Sequence, residues 1–186
     1  SPDGFIWLST ENAKLFKIDI YNTIIPHFGN QVNDGVRAFN EETASVFWYG
    51  TNSGLVRKDL KNGTNRRFVN EPGNTYSLSN NMVTEILKDR QGNFWIGTRS
   101  GLNNFNLKTG NFTRYYLAPD NGDSFSNGVS GLCEDRDSNI WVGNWINGLY
   151  MLNRITGKFT NYKNNPADIN TISNDAISVI FEDETT

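Results

Sequence analysis

The sequence has very little of the residues that most often perform catalysis or cross-link a small fold. Of its 186 residues one is cysteine, Cys133, and one is histidine, His27. A single cysteine excludes an intrachain disulfide framework, and we expect Cys133 to be a buried structural thiol in an apolar-rich strand. A single histidine excludes a histidine-dependent triad or a multi-histidine metal site built from this chain. We therefore predict no metal, no cofactor and a structural place for His27 at the end of a strand.

Long apolar runs and blocks of like charge are also absent. No stretch approaches the roughly 18 apolar residues of a membrane-spanning helix, and the first residues lack a basic-then-apolar signal segment. We expect a soluble chain, either mature or excised, without direct membrane insertion. The 17 Lys and Arg against 20 Asp and Glu give a net charge of −3 without a basic stripe, which argues against a nucleic-acid partner.

What the sequence does contain is a repeat. Four times a tryptophan is followed by an apolar residue, then glycine or serine, then threonine or asparagine, at Trp7, Trp48, Trp95 and Trp141. The spacing of roughly 45 residues is the size of one small antiparallel sheet. A unit of this kind buries its apolar face only against its neighbours, so the whole fold follows from the unit.

The third unit shows four short strands most clearly. Apolar runs rich in β-branched and aromatic residues fall within 83–89, 94–98, 101–106 and 109–115, each bounded by glycine, asparagine or aspartate. The missing 3.6-residue period excludes a helical solenoid. The pattern predicts an all-β fold, a β-propeller of about four blades with four antiparallel strands each, and a fragment of a larger propeller.

We predict a single β-propeller segment over residues 1–186. Its blade pieces are expected at 1–28, 33–69, 82–116 and 128–162, with a terminal first strand at 176–182. If that strand pairs with the N-terminal second strand, the ends close a four-bladed ring. Otherwise the segment is an arc cut from a larger propeller, and its open sheet edges invite association.

Two recurring residue types are interpreted as scaffold. The four tryptophans occur once per unit in the second strand, and we expect them to pack between blades rather than contact a ligand. Glycines recur after the tryptophan, at the start of the third strand and in the third-to-fourth hairpin, where the backbone or the packing favours them. The structural glycines are Gly97, Gly101, Gly110, Gly143, Gly148 and Gly157.

Several strings resemble the two-component regulator propeller repeat. They are the string from Asp89 to Leu102, which contains Trp-Ile-Gly-Thr, the Leu-Ser-Asn-Asn that begins at Leu78, and the Thr-Gly-Lys-Phe that begins at Thr156. The likeness covers nearly the whole chain, and the elements are specific as a set.

This resemblance implies a periplasmic, extracytoplasmic sensor segment of a bacterial hybrid two-component histidine kinase and response regulator. Such a segment would respond to glycan fragments without catalysing a reaction. Its candidate partners are an oligosaccharide, the remaining propeller blades and receptor domains, and a second copy in a homodimer.

Strand parity places the candidate ligand-binding residues. In a four-stranded meander, the second-to-third turns and the loops between blades share one end, and loops held on a rigid scaffold are the usual place for recognition. The turns at that end carry Trp145, Arg99, Asn147 and Asn52. Trp145 is the strongest candidate, because it falls outside the repeat pattern in a turn lengthened by one residue. Its alternative role is to cover the neighbouring blade, and the other three residues could simply be solvated or form turns.

Two other functions stay open at this stage. The segment could be structural or dimerising, with no ligand of its own. It could also be a propeller-type hydrolase or lyase, because Glu85, Glu134 and Glu182 occur on successive strands and could face a common channel as paired carboxylates. The simpler interpretation of these glutamates is that they are solvated strand ends.

Overall fold

The computed structural model of the chain describes residues 5–9, 15–19, 34–118 and 124–183. Within these ranges the strands form one two-stranded sheet and three four-stranded sheets, which we number I to IV in chain order. Sheet I contains β1 (Phe5–Ser9) and β2 (Leu15–Asp19); sheet II contains β3 (Ala38–Thr43), β4 (Val46–Thr51), β5 (Gly54–Asp59) and β6 (Thr64–Phe68). Sheet III contains β7 (Val83–Lys88), β8 (Phe94–Thr98), β9 (Gly101–Phe105) and β10 (Phe112–Tyr115); sheet IV contains β11 (Gly131–Glu134), β12 (Ile140–Gly143), β13 (Leu149–Asn153) and β14 (Lys158–Tyr162).

Sheets II, III and IV are antiparallel meanders whose strand order follows the chain. Local turn chemistry explains why they repeat. In sheet III the side chain of Asn106 accepts hydrogen bonds from the backbone N–H groups of Lys108 and Thr109, which is an Asx turn. Gly110 then adopts a φ of 76°, a conformation that glycine reaches without strain. The same arrangement closes the third-to-fourth hairpins of sheets II and IV.

Adjacent sheets meet where the second strand of one faces the first strand of the next. A Cβ atom added to Gly97 would lie 2.6 Å from Cγ1 of Val129, so only glycine allows the sheets to approach this closely. The contact occurs at both junctions between the four-stranded sheets, Gly50 with Val83 and Gly97 with Val129, and again where Gly143 meets Ile177 of the segment after sheet IV.

The core between sheets II and III is aromatic. Trp48 is fully buried, and its ring centroid lies 5.6 Å from Phe68, 5.2 Å from Phe94 and 4.9 Å from Phe105. Aromatic pairs at these separations add to the stability gained from burial. One tryptophan of the repeat is therefore the centre of this junction.

Trp95 and Trp141, the two other described tryptophans of the repeat, differ in environment. Trp95 is buried in the apolar cluster between sheets III and IV. Trp141 is half-buried and lies 5.5 Å from the ring of Tyr162 within its own sheet, because no described sheet follows sheet IV and covers it. The side chain of Trp7 lies outside the described residues, as does His27.

The predicted terminal first strand at 176–182 is wrong, because residues 176–183 form no strand. Ile177 nevertheless docks against Gly143, and its N–H donates to the carbonyl of Asn144 at 3.0 Å. The segment thus follows the path of a first strand but pairs with no strand of the described chain. The described partner of β1 is β2. A strand needs a ladder of hydrogen bonds to a partner, so the local sequence pattern alone did not suffice.

Candidate functional site

The loops between sheets are closed by one repeated hydrogen bond. Each loop ends on an Asn or Asp whose side chain accepts a hydrogen bond from a backbone N–H at the start of the loop. This Asn or Asp lies two residues before the valine or isoleucine that packs on a glycine of the preceding sheet. The bonds are Asn70 to Asn81 at 2.6 Å, Ala118 to Asn127 at 2.9 Å, and Asn164 to Asp175 at 2.7 Å. These loops also bond to the second-to-third turns, as from Asn80 to Ser100 at 3.2 Å. We call this side of the sheets the loop end and the opposite side the turn end.

At the loop end, between sheets III and IV, side chains from two turns and two loops form a continuous strip. The guanidinium carbon of Arg99 lies 5.0 Å from the ring centroid of Phe125, and that ring lies 5.6 Å from the ring of Trp145. Lys163 donates to the side-chain oxygen of Asn147 at 3.4 Å. We call Arg99, Phe125, Trp145, Asn147 and Lys163 the Trp145 strip.

Buried Asn144 builds the turn that holds Trp145. Its side-chain oxygen accepts from the N–H groups of Ile146 at 2.9 Å and Asn147 at 2.8 Å. Its amide donates to the carbonyl of Gly128 at 2.6 Å, which fastens the turn to the preceding loop. Gly128 also forms the floor beneath the indole, because a Cβ there would lie 2.5 Å from Cζ3 of Trp145.

The structure brings three of the four predicted ligand-binding residues together. Trp145 is half-buried against Gly128 and Phe125, Arg99 is exposed, and Asn147 is half-buried beside them. Asn52 lies apart in the β4–β5 turn of sheet II, where it accepts from Nε of Arg37 at 2.7 Å.

Sequence reasoning missed Phe125 and Lys163. A signal for Phe125 was present, because the equivalent position in the other two loops is serine, Ser79 and Ser173. An aromatic residue at a position that is otherwise small and polar marks a loop with a different task. Lys163 carried no comparable signal, since it follows β14 as an ordinary exposed lysine.

The turn end is built differently, from ion pairs that cross between sheets. Asp89 of sheet III accepts from the indole N–H of Trp95 at 3.0 Å and pairs with Arg154 of sheet IV. Arg154 also pairs with Glu134 at 3.4 Å. Burial alone would raise the pKa of Asp89, but hydrogen bonds from Asn93 and Trp95 and the charge of Arg154 together hold it below its usual value.

The three glutamates do not share a channel. Glu134 accepts from the backbone N–H of Arg90 at 2.7 Å, and Glu182 pairs with Arg90 at 3.0 Å and Arg136 at 3.7 Å, both at the turn end. Glu85 lies nearer the loop end, opposite Gly97 in the ladder, and burial raises its pKa to about 7. The alternative of paired carboxylates is therefore not supported for these residues, and the preferred interpretation as solvated strand ends is wrong for Glu134, which is buried.

Other potential sites are limited within the described part of the chain. Cys133 is half-buried rather than buried, and burial raises the pKa of its thiol. Among residues 5–9, 15–19, 34–118 and 124–183, no group of three or more His, Cys, Asp or Glu side chains could hold a metal ion. No described helix is long and apolar enough to cross a membrane. A cleft of about 450 Å³ opens at the turn end beside Gln91, Asn139 and Arg154.

The fold resembles solved β-propeller structures of large extracellular domains. The extracellular domain of BT4673 from B. thetaiotaomicron, described as a hybrid two component system, superposes with a TM-score of 0.78 at 21% identity over 97% of this chain and 24% of that one. The corresponding domain of BT3049 from the same organism gives 0.75 at 24% identity, over 97% and 23%. This chain thus spans about a quarter of the length of either domain.

A second kind of neighbour is an enzyme. Virginiamycin B lyase from Staphylococcus aureus superposes with a TM-score of 0.64 at 17% identity, over 89% of this chain and 54% of the lyase. Similarities at these identities establish the all-β propeller fold predicted from the sequence. No curated protein sequence matches the chain.

The repeats themselves are recognised at two places. Residues 77–100 and 123–145 match the family model of the two component regulator propeller. The first match runs from the loop before sheet III to the β8–β9 turn, and the second runs through Phe125 to Trp145. The resemblance seen in the sequence is thereby confirmed at these two segments, which match the two component regulator propeller on a β-propeller fold.

Proposed function

We propose that this chain is a ligand-sensing propeller segment from the extracytoplasmic, periplasmic part of a hybrid two-component sensor histidine kinase and response regulator. In this proposal it binds glycan fragments at the Trp145 strip and is not catalytic. The observation that carries the proposal is the strip itself, assembled from two turns and two loops on repeats that match the two component regulator propeller. The similarity to two Bacteroides extracellular domains supports the sensor role.

The chemistry of the strip suits a saccharide. An indole offers an apolar face to the C–H face of a sugar ring, and it loses little conformational entropy on binding because it has few rotatable bonds. The amide of Asn147 and the cations Arg99 and Lys163 supply hydrogen-bond donors beside that face. Buried Asn144 and Gly128 hold the indole in place before the ligand arrives, which lowers the entropic cost of binding.

The position of the strip suits signalling. Arg99 belongs to sheet III, Trp145 and Asn147 to sheet IV, and Phe125 to the loop that joins them. A ligand that touches all of them would fix the two sheets relative to each other. In the proposal that change is passed to the remaining blades and receptor domains, and a second copy of the chain is a further candidate partner.

The test is a titration of neutral and acidic oligosaccharides against the chain, in which binding is detected by calorimetry and by tryptophan fluorescence. Trp145→Ala should abolish the binding of any sugar that binds the wild type, while the melting temperature falls by only a few degrees, about 1 kcal/mol of stability. Tyr76→Ala is the matched control, because Tyr76 is an aromatic residue of another loop with 65% of its surface exposed. Retained binding by Trp145→Ala, or no sugar bound by the wild type, would count against the proposal.

A lyase activity is the second candidate, favoured by the likeness to virginiamycin B lyase. A histidine-to-alanine variant of that lyase is described as catalytically inactive, in complex with quinupristin. This chain has one histidine, His27, which lies outside the described residues. Incubation with quinupristin followed by mass spectrometry should leave the compound intact; a product that disappears in His27→Ala would establish the enzyme instead.

A further inference from the structure

Arg99 and Lys163, the cations of the Trp145 strip, lie at the loop end, whereas the arginines that form ion pairs with acids lie at the turn end. Resting on the proposed sugar site, we infer that its ligand is an acidic saccharide whose carboxylate is held by Arg99 with help from Lys163, a uronate-containing oligosaccharide. The inference concerns the ligand's charge, which the proposed function leaves open.

The ion pairs among the described residues lie at the turn end. At the turn end carboxylates neutralise arginines: Glu42 with Arg57, Glu182 with Arg90 and Arg136, and Asp89 and Glu134 with Arg154. At the loop end neither Arg99 nor Lys163 has a carboxylate within ion-pair distance among residues 5–9, 15–19, 34–118 and 124–183. The chain as a whole carries a net charge of −3. These two positive charges therefore do not reflect an excess of basic over acidic residues in the chain.

Arg99 is held against an aromatic ring. Its guanidinium lies over the ring of Phe125, and no described residue accepts a hydrogen bond from it. A guanidinium fixed over an aromatic ring loses less freedom on binding than a solvated one, and its N–H groups match the two oxygens of a carboxylate. Arg99 is therefore arranged to bind a planar anion without breaking an existing contact.

Lys163 is linked to the turn of Trp145 by a hydrogen bond. Its ammonium donates to the side-chain oxygen of Asn147, two residues beyond Trp145, whereas Arg99 reaches Trp145 through Phe125. Arg99 thus joins the strip through Phe125, and Lys163 joins it through Asn147. The nearby carboxylate of Asp175 accepts the backbone N–H of Asn164 at 2.7 Å and is engaged in closing its loop.

The probe is trigalacturonate, compared with its fully methyl-esterified form, which has the same rings and no charge. At low salt the wild type should bind the acid about tenfold more tightly than the ester, the effect of one exposed charge-assisted hydrogen-bond pair. Raising the salt concentration should shrink that ratio, because the charges are solvent-exposed. Arg99→Ala should lose about tenfold in affinity for the acid and little for the ester.

Arg66→Ala is the matched control, because Arg66 also lies over a phenylalanine, Phe68, at 4.6 Å, and is exposed outside the strip. It should leave the ratio unchanged. Asp120 and Asp123 of the Phe125 loop lie outside the described residues, so an Asp120→Asn/Asp123→Asn variant is included. A preference for the acid that is present in the wild type and grows in this variant supports the inference.

Three results overturn it. If the ester binds as tightly as the acid and its binding requires Trp145, the preference for acids is wrong while the proposed sugar site stands. If the preference arises only after Asp120 and Asp123 are replaced, the native strip does not select anions. If neither compound nor any neutral sugar binds, the proposed function fails together with the inference.

Discussion

The two ends of these sheets use the same residue types in opposite ways. At the turn end, Asp89 and Glu134 meet Arg154 from the neighbouring sheet, and the tryptophan of the repeat is anchored to the same aspartate. At the loop end, hydrogen bonds from backbone N–H groups to Asn or Asp side chains close each loop. Arg99 and Lys163 lie at this end without an acidic partner in the described chain. The ion pairs therefore mark the structural end of the fold, whereas Arg99 and Lys163 lie at the end we assign to recognition.

Between the two ends lies the contact of glycine with a β-branched residue, and breaking it should have the largest effect. Gly97→Val would place a side chain where Val129 already lies, 2.6 Å from the added Cβ. Because overpacked cores relax only by moving backbone, we expect a loss of about 3 kcal/mol in the free energy of unfolding, measured by chemical denaturation. Gly35→Ala is the control, since nothing lies within 4 Å of its added Cβ. Equal stability of both variants would refute a steric role for Gly97.

The turn end should be the next most sensitive region. Arg154→Ala removes the partner of Asp89, whose side chain is fully buried, and we expect a loss of about 2 kcal/mol, less than for a fully buried pair because Arg154 retains some exposure. The loss should shrink in acid, because Asp89 has a lowered pKa and its paired, charged form stabilises the fold only above that pKa. Arg136→Ala, an exposed member of the same network, should cost less than about 1 kcal/mol. If the two variants lose the same stability, burial of the pair is not what matters.

The scaffold was predictable from the sequence because its contacts are local or repeated. The turn glycines, the tryptophans and the glycine after them recur once per unit, so one unit explains the others. The terminal strand at 176–182 was wrongly predicted because a strand depends on a partner elsewhere in the chain. Phe125 differed from the equivalent Ser79 and Ser173 and its signal was overlooked, whereas Lys163 escaped notice because the strip depends on which turns and loops meet across two sheets. Arg154 was missed for the same reason, at a position where the other units carry Leu60 and Leu107.

Glu85, which lies in β7 nearer the loop end, should give the fold an unusual pH dependence. Its pKa rises from 4.5 to about 7 on folding because burial disfavours the charged form. Its contribution to stability is therefore fully present below about pH 4.5 and is lost as the pH rises toward 7. After allowance for partial exposure, Glu85→Gln should be more stable than the wild type at pH 8 by about 1 kcal/mol and equal to it near pH 4.5. Parallel pH profiles for wild type and Glu85→Gln would contradict the assignment.

The smallest effect on stability is expected at the loop end, where it should be accompanied by a large effect on binding. Gly128→Ala adds a methyl group beneath Trp145, and the indole must shift because the added Cβ would lie 2.5 Å from it. Ala176 occupies the equivalent place in the next loop, before Ile177, so a Cβ is acceptable there when no tryptophan lies above it. We expect a loss of less than about 1 kcal/mol in stability, since the loop is at the surface and can adjust. Binding of the sugar that titrates the wild type should weaken about tenfold, as it does when a preorganised contact is misplaced. The reverse control, Ala176→Gly, should change neither stability nor binding appreciably. If Gly128→Ala instead unfolds the chain and leaves sugar affinity intact in the folded fraction, Trp145 belongs to the scaffold. The contrast between the two ends would then not hold.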